Sequence, residues 1–200
     1  MYKLRPEYQQ GAHEKTIGWC KQTHDPAVHD HSVGAGKTVQ IAFAIKHVVD
    51  AGGNALCLAR QGELIKQNAE DYFEIGGKCS IFSASLNKYS TYYPAIYATE
   101  GTIANALREK FSDFKVGLMC IDECHEVEFN NVLCCIDATK QGKDIYSAAD
   151  ENGKPLYCQY AIIIAHFLKI NPKMRIMGYS GSPFRGSNEI VEPSGRGFWR

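Results

Sequence analysis

Ser32-Val33-Gly34-Ala35-Gly36-Lys37-Thr38 is the stretch on which the reading of this 200-residue chain turns. Before it, residues 26–31 (ProAlaValHisAspHis) suit a short, unusually polar strand. After it, residues 38–51 (ThrValGlnIleAlaPheAlaIleLysHisValValAspAla) read as a helix with a broad apolar face, ended by Gly52-Gly53. In a strand–loop–helix context, a glycine-rich loop can wrap a polyphosphate with backbone N–H groups. Gly34 and Gly36 permit close approach of the backbone and unusual dihedral angles. Ser32, Val33, Gly34, Ala35 and Gly36 would form the cradle. Lys37 would neutralise β- and γ-phosphates, and Thr38 would offer its hydroxyl to Mg²⁺. The full pattern has a further glycine five positions before Gly36, where His31 stands.

Outward from the loop, strands and helices alternate. Residues 7–22 read as a helix, 54–59 as a buried strand, and 61–75 as a helix ended by Gly76-Gly77. Residues 78–82 and 94–98 read as short strands, 101–111 as a helix, and 115–121 (LysValGlyLeuMetCysIle) as a strand stopping at Asp122. Residues 137–156 are polar and read as an insertion, 157–170 as a helix, and 174–179 as a strand. The tail 186–200 reads as loose. Such alternation implies a mostly parallel sheet covered on both faces, an α/β fold.

A second signal is Asp122-Glu123-Cys124-His125, at the end of the 115–121 strand. Open α/β sheets place their ligands at carboxyl ends of strands. Asp122 there suits Mg²⁺, and Glu123 suits orienting or deprotonating an attacking water. A third signal is Gly178–Arg185 (GlyTyrSerGlySerProPheArg), whose small hydroxyl residues again come directly after an apolar strand.

These three signals, in this order, resemble superfamily 2 helicases and translocases. Ser32–Thr38 resembles motif I, Asp122–His125 the DEAH-type motif II, and Ser180–Ser182 motif III. Residues 4–10 (LeuArgProGluTyrGlnGln) resemble the adenine-reading segment, with Glu7 as an extra residue. Residues 59–68 (AlaArgGlnGlyGluLeuIleLysGlnAsn) resemble motif Ia, and 97–103 (TyrAlaThrGluGlyThrIle) motif Ib. Within this superfamily the stretches GluLeuIleLysGlnAsn, IlePheSerAlaSerLeu, IleAspGluCysHis and GlySerProPheArg resemble the RadD-like group of bacterial DNA-repair helicases and their phage relatives.

The resemblance implies a RecA-like P-loop NTPase domain over residues 1–185, with 186–200 as a tail or the start of a linker. It implies ATP and Mg²⁺ as cofactors, with Gln9, helped by Arg5, reading the adenine. His125 would couple the nucleotide to Ser180 and Ser182. Arg60, Gly62, Thr99 and Thr102 would lie along one strand of DNA, single-stranded or branched, mostly at phosphates, which position a strand without reading it. The family completes its site with arginines from a second RecA-like domain. The expectation is that these 200 residues, without that domain, hydrolyse ATP slowly. Val33 departs from the Thr of many relatives, and the polar strand at His29, Asp30 and His31 departs from a buried central strand.

Composition narrows the classes. Hydrophobic residues make up 44% and charged residues 22%, with a formal net charge of zero, so any nucleic-acid contact must come from a local face. The eight cysteines contain no CxxC, and several sit inside apolar runs, which suits reduced, buried thiols in a cytoplasmic protein. No apolar run approaches the length of a membrane span. His13, His24, His29, His31, His47 and His166 show no metal-ligand spacing. Lys140, Lys143 and Lys154 suit a solvated loop. Tyr89, Tyr92, Tyr93 and Tyr97 form an aromatic cluster, for which packing onto the domain is the commoner use and base stacking the rarer. Two rival readings stay open: a restriction-endonuclease motor, and a nucleotide- or partner-binding module.

Overall fold

Alternation of side chains along the strands sorts the core into two halves. Leu56 and Leu58 face one side of the sheet, as do Met119 and Ile121. Ala55, Cys57 and Ala59 face the other, as do Leu118 and Cys120. Both sides are apolar because both are covered, as parallel sheets require. The computed structural model describes residues 4–5, 8–30 and 34–181, with the backbone of 184–185 and 188–189.

Seven strands form the main sheet: β1 Ala27–Asp30, β2 Asn54–Ala59, β3 Cys79–Ser83, β4 Lys88–Tyr89, β5 Ala95–Thr99, β6 Val116–Asp122 and β7 Arg175–Ser180. Their spatial order is β1-β7-β6-β2-β5-β3-β4, and every pairing is parallel except β3 with β4. Helices α2 (Lys37–Asp50) and α3 (Gly62–Glu74) bury Ile41, Ile45, Ile65 and Tyr72 on one face, with Trp19 and Cys20 of α1 (Gln9–Gln22) packed against them. Helices α4 (Glu100–Lys110), α5 (Phe129–Lys140) and α6 (Gln159–Ile170) cover the other, where Phe111 meets Phe82 and Phe167 edge-on. This is the RecA-like α/β sheet that the resemblance implies.

Three expectations change. The polar strand before the loop is β1, which lies at the edge of the sheet and pairs only with β7 among the described strands. An edge strand can carry polar residues that a central one could not. His29 there contacts Thr16 and stacks on Tyr179 at 5.6 Å. The insertion expected at 137–156 starts later, because 137–140 form the last turn of α5, which buries Val132, Cys135 and Ala138 along one stripe. The loop after α5 is pinned by buried Ile145 and by Tyr146, whose hydroxyl lies 2.7 Å from His166 Nδ1. Within the expected loose tail, β9 Asn188–Glu189 pairs antiparallel with β8 Phe184–Arg185.

Cys57, Cys79, Cys120, Cys124 and Cys135 are buried. Burial pushes the Cys57, Cys120 and Cys124 thiols up and that of Cys79 up to about 12, so they serve as small hydrophobes. No helix among the described residues is long and apolar enough to cross a membrane.

Candidate nucleotide site

The three signals lie far apart in sequence and side by side in space. β1 precedes the glycine loop, β7 ends at Ser180 and β6 ends at Asp122, and these strands are neighbours in the order β1-β7-β6. Asp30 is in register with Ser180, and Tyr179 with Asp122. All three carboxyl ends open on one edge of the sheet, where this class of fold binds ligands.

Lys37 is the first residue of α2. A cation at a helix N-terminus opposes the helix dipole and needs compensation. Glu123 provides it, forming an ion pair with the Lys37 ammonium, and Asp122 Oδ1 lies 3.9 Å away. Glu123 has φ +53, a left-handed conformation unusual for a residue with a side chain, at a cost of about 1–3 kcal/mol. The turn brings His125 Nδ1 to 3.2 Å from Glu123 Oε2 and 2.9 Å from Ser180 Oγ. The structure thus brings together Lys37, Asp122, Glu123, His125 and Ser180.

Asp122 is 2% exposed. Burial raises its pKa, while the Asn68 amide and the Lys37 charge act against that rise. Asn68 Nδ2 donates to Asp122 Oδ2 at 2.8 Å, and the Glu123 backbone N–H donates to Oδ1 at 3.0 Å. Sequence reasoning missed Asn68. Its signal was present: Ile65, Asn68, Ala69 and Tyr72 have the spacing of one buried helical face, and a polar residue there needs a partner. Among the described residues no group of three or more His, Cys, Asp or Glu could hold a metal ion. Asp122 and Thr38 carry oxygen donors of the kind Mg²⁺ takes, since it is commonly held by one or two protein oxygens plus phosphate and water.

The loop's glycines are conformationally required. Gly34 and Gly36 have φ +84 and +81, and a Cβ on Gly36 would sit 2.5 Å from Gln9 Nε2. Gln9 is buried beneath the loop. Its Nε2 donates to Ala35 C=O at 3.1 Å, and its Oε1 accepts the Arg5 backbone N–H at 2.9 Å. The neighbouring Gln10 instead bonds Glu14 on the helix surface. Arg5 is exposed, and Thr38 is half-buried at the start of α2. Ser32, Val33 and Ser182 lie outside the described residues.

A separate groove of about 610 Å³ is lined by Arg60, Ser85, Tyr89, Thr99, Thr102 and Lys110, among others. Gly62 abuts it: a Cβ there would meet Ser85 Oγ at 2.2 Å. Thr99 is buried, with its hydroxyl 3.2 Å from Ser83 Oγ and 2.8 Å from that of Thr102, so it shapes the floor. Thr102 Oγ1 also accepts the Ala84 N–H. Arg60 bonds Glu126 at 2.8 Å, which joins the groove to the turn after Glu123.

The model of the family described as type III restriction enzyme, res subunit matches residues 2–179. The chain belongs to that family. Its fold is that of the first RecA-like domain of superfamily 2 helicases. Its fold is similar to that of the UvsW helicase from bacteriophage T4, with a TM-score of 0.60 and 18% identity over 90% of this chain and 53% of that one. It is similar to a nuclease-deletion mutant of the type ISP restriction-modification enzyme LlaGI, solved with a DNA substrate mimic (TM-score 0.57, 15% identity, 96% of this chain and 19% of that one). It is also similar to S. cerevisiae Dbp5 bound to RNA and ADP BeF3 (TM-score 0.55, 15% identity, 90% and 45%). The chain therefore spans about half the length of the UvsW chain. A comparison with curated proteins gives no match.

Proposed function

We propose that this chain is the ATP-binding half of a DNA translocase motor. The observation that carries the reading is the convergence of Lys37 with Asp122 and Glu123 at adjacent strand ends. Gly34–Lys37 would cradle the triphosphate. Thr38 and Asp122 would hold Mg²⁺, which screens the phosphate charge when bound. Glu123 would take the proton of the attacking water, and its contact with His125 would carry the change to Ser180. Gln9 and Arg5 would take the adenine side; Gln9 already bonds Ala35, so base contact and loop position share one side chain. Ser32, Val33 and Ser182 belong to the same proposal through the resemblance of their segments.

The groove would hold a DNA strand at Arg60, Gly62, Thr99 and Thr102. Arg60 links it to Glu126, the last residue of the short turn that carries His125, so strand and nucleotide bias one element. A role in DNA repair rests on the RadD-like stretches. A role in a restriction-enzyme motor rests on the matched family and shares the same chemistry.

The test is ATP hydrolysis by this polypeptide with and without single-stranded DNA. We expect slow turnover, because an arginine from a second domain typically contributes about 10³–10⁵ in rate. We also expect DNA stimulation that Lys37→Ala removes. Turnover indifferent to DNA under all conditions would favour a binding module instead.

Asn68 gives a second test. Asn68→Ala should weaken MgATP binding roughly 10- to 100-fold, as loss of a metal ligand's hydrogen-bond partner commonly does. Binding of ADP in EDTA should not change. Equal losses in both titrations would mean that Asn68 only supports the fold.

A further inference from the structure

We propose that the groove takes an unpaired nucleic-acid strand with one base stacked on the Tyr89 ring. This deepens the strand-binding reading above and rests on it.

The sequence cluster of tyrosines divides in the fold. Tyr97 is wholly buried on β5 and belongs to the core. Tyr89 is 52% exposed and lines the groove with Arg60, Thr99, Thr102 and Lys110. It sits on β4, the outermost strand of the sheet, in register with Phe82. Packing holds the ring: the Phe82 ring stands 5.8 Å away at 86°, and Phe111 holds Phe82 in turn at 5.1 Å and 89°. Tyr89 is therefore an aromatic surface positioned before any ligand arrives, which lowers the ordering cost of binding.

Charge in the groove is thin. Among the described residues its cations are Arg60 and Lys110, and Arg60 already contacts Glu126 at 2.8 Å and Glu100 at 3.8 Å. The whole chain has no net charge. Phosphate attraction alone is a weak source of affinity here. A ring beside the phosphate track supplies a second source, but only to a base whose face is free. Duplex bases are held in the stack by pairing, whereas an unpaired base can swing out and offer a face to the ring. The chemistry selects single-stranded over duplex nucleic acid.

The test uses this polypeptide, a fluorescein-labelled oligothymidylate, a blunt duplex, and an oligothymidylate carrying one aminopurine. The single strand should bind more tightly than the duplex. Its affinity should fall with salt at a shallow log–log slope of about −1.4, as expected for two neutralised phosphates on a single strand. Tyr89→Ala should weaken single-strand binding on the order of tenfold or more. Tyr89→Phe should retain it, and aminopurine quenching should vanish in Tyr89→Ala alone. Phe73→Ala, which removes an exposed aromatic outside the groove, should change nothing. Unchanged MgATP binding shows that the variants fold. If Tyr89→Ala binds the single strand like the parent while Arg60→Ala and Thr102→Ala weaken it, the groove reading stands and the stacked base is refuted. If none of the three weakens binding, both are refuted.

Discussion

Lys37→Ala loses MgATP affinity by about 100-fold or more, while its melting temperature stays near that of the parent chain. Hydrogen bonds to charged groups contribute about 1.5–3 kcal/mol each, and this ammonium would make more than one with the β- and γ-phosphates. The loss is compounded by what remains. Asp122 and Glu123 would face an incoming polyanion with no ammonium between them, and burial already makes the ionised form of Asp122 costly. Lys37 is half-buried and its partner Glu123 is one-third exposed, so the fold depends little on the pair. Calorimetric titration with MgATP is the measurement, and an unchanged affinity would refute the site.

Glu123→Gln separates binding from chemistry. Single-turnover hydrolysis should fall about 10²–10⁴-fold, the usual contribution of a positioned base. MgATP should bind as well as before, or better. In the structure Lys37 is engaged by Glu123, and it must leave that carboxylate to reach a phosphate. Glutamine has the same shape, accepts the same left-handed turn and holds Lys37 less strongly. Weakened binding that matches the loss of turnover would show that Glu123 serves the ground state and not the reacting water.

Much of this was legible because local signals agreed with the fold. β2 and β6 are continuous apolar runs, and α2 and α3 end at paired glycines where the pattern stops. Lys37 and Asp122–Glu123 could be placed because each sits at the junction between a strand and the next element. The hidden features depended on distant residues. The start of α5 at Phe129 is masked by Asn130 and Asn131, and only packing on α6 makes its apolar stripe useful. β4 has two residues and exists through its pairing with β3. Asn68 acquires meaning only when Asp122 arrives from another strand. Whether Tyr89 or Tyr97 is buried depends on which strand is outermost, and no local pattern states that.

The position of β1 has a consequence for the protein in a crowded solution. β1, which precedes the glycine loop, has no neighbour on its outer side among the described strands. In general, the edge of a sheet is a template on which a strand of another molecule can add. Apolar residues there would invite such addition beside the loop Gly34–Gly36. β1 is only four residues long and carries the polar His29 and Asp30, features that discourage such addition.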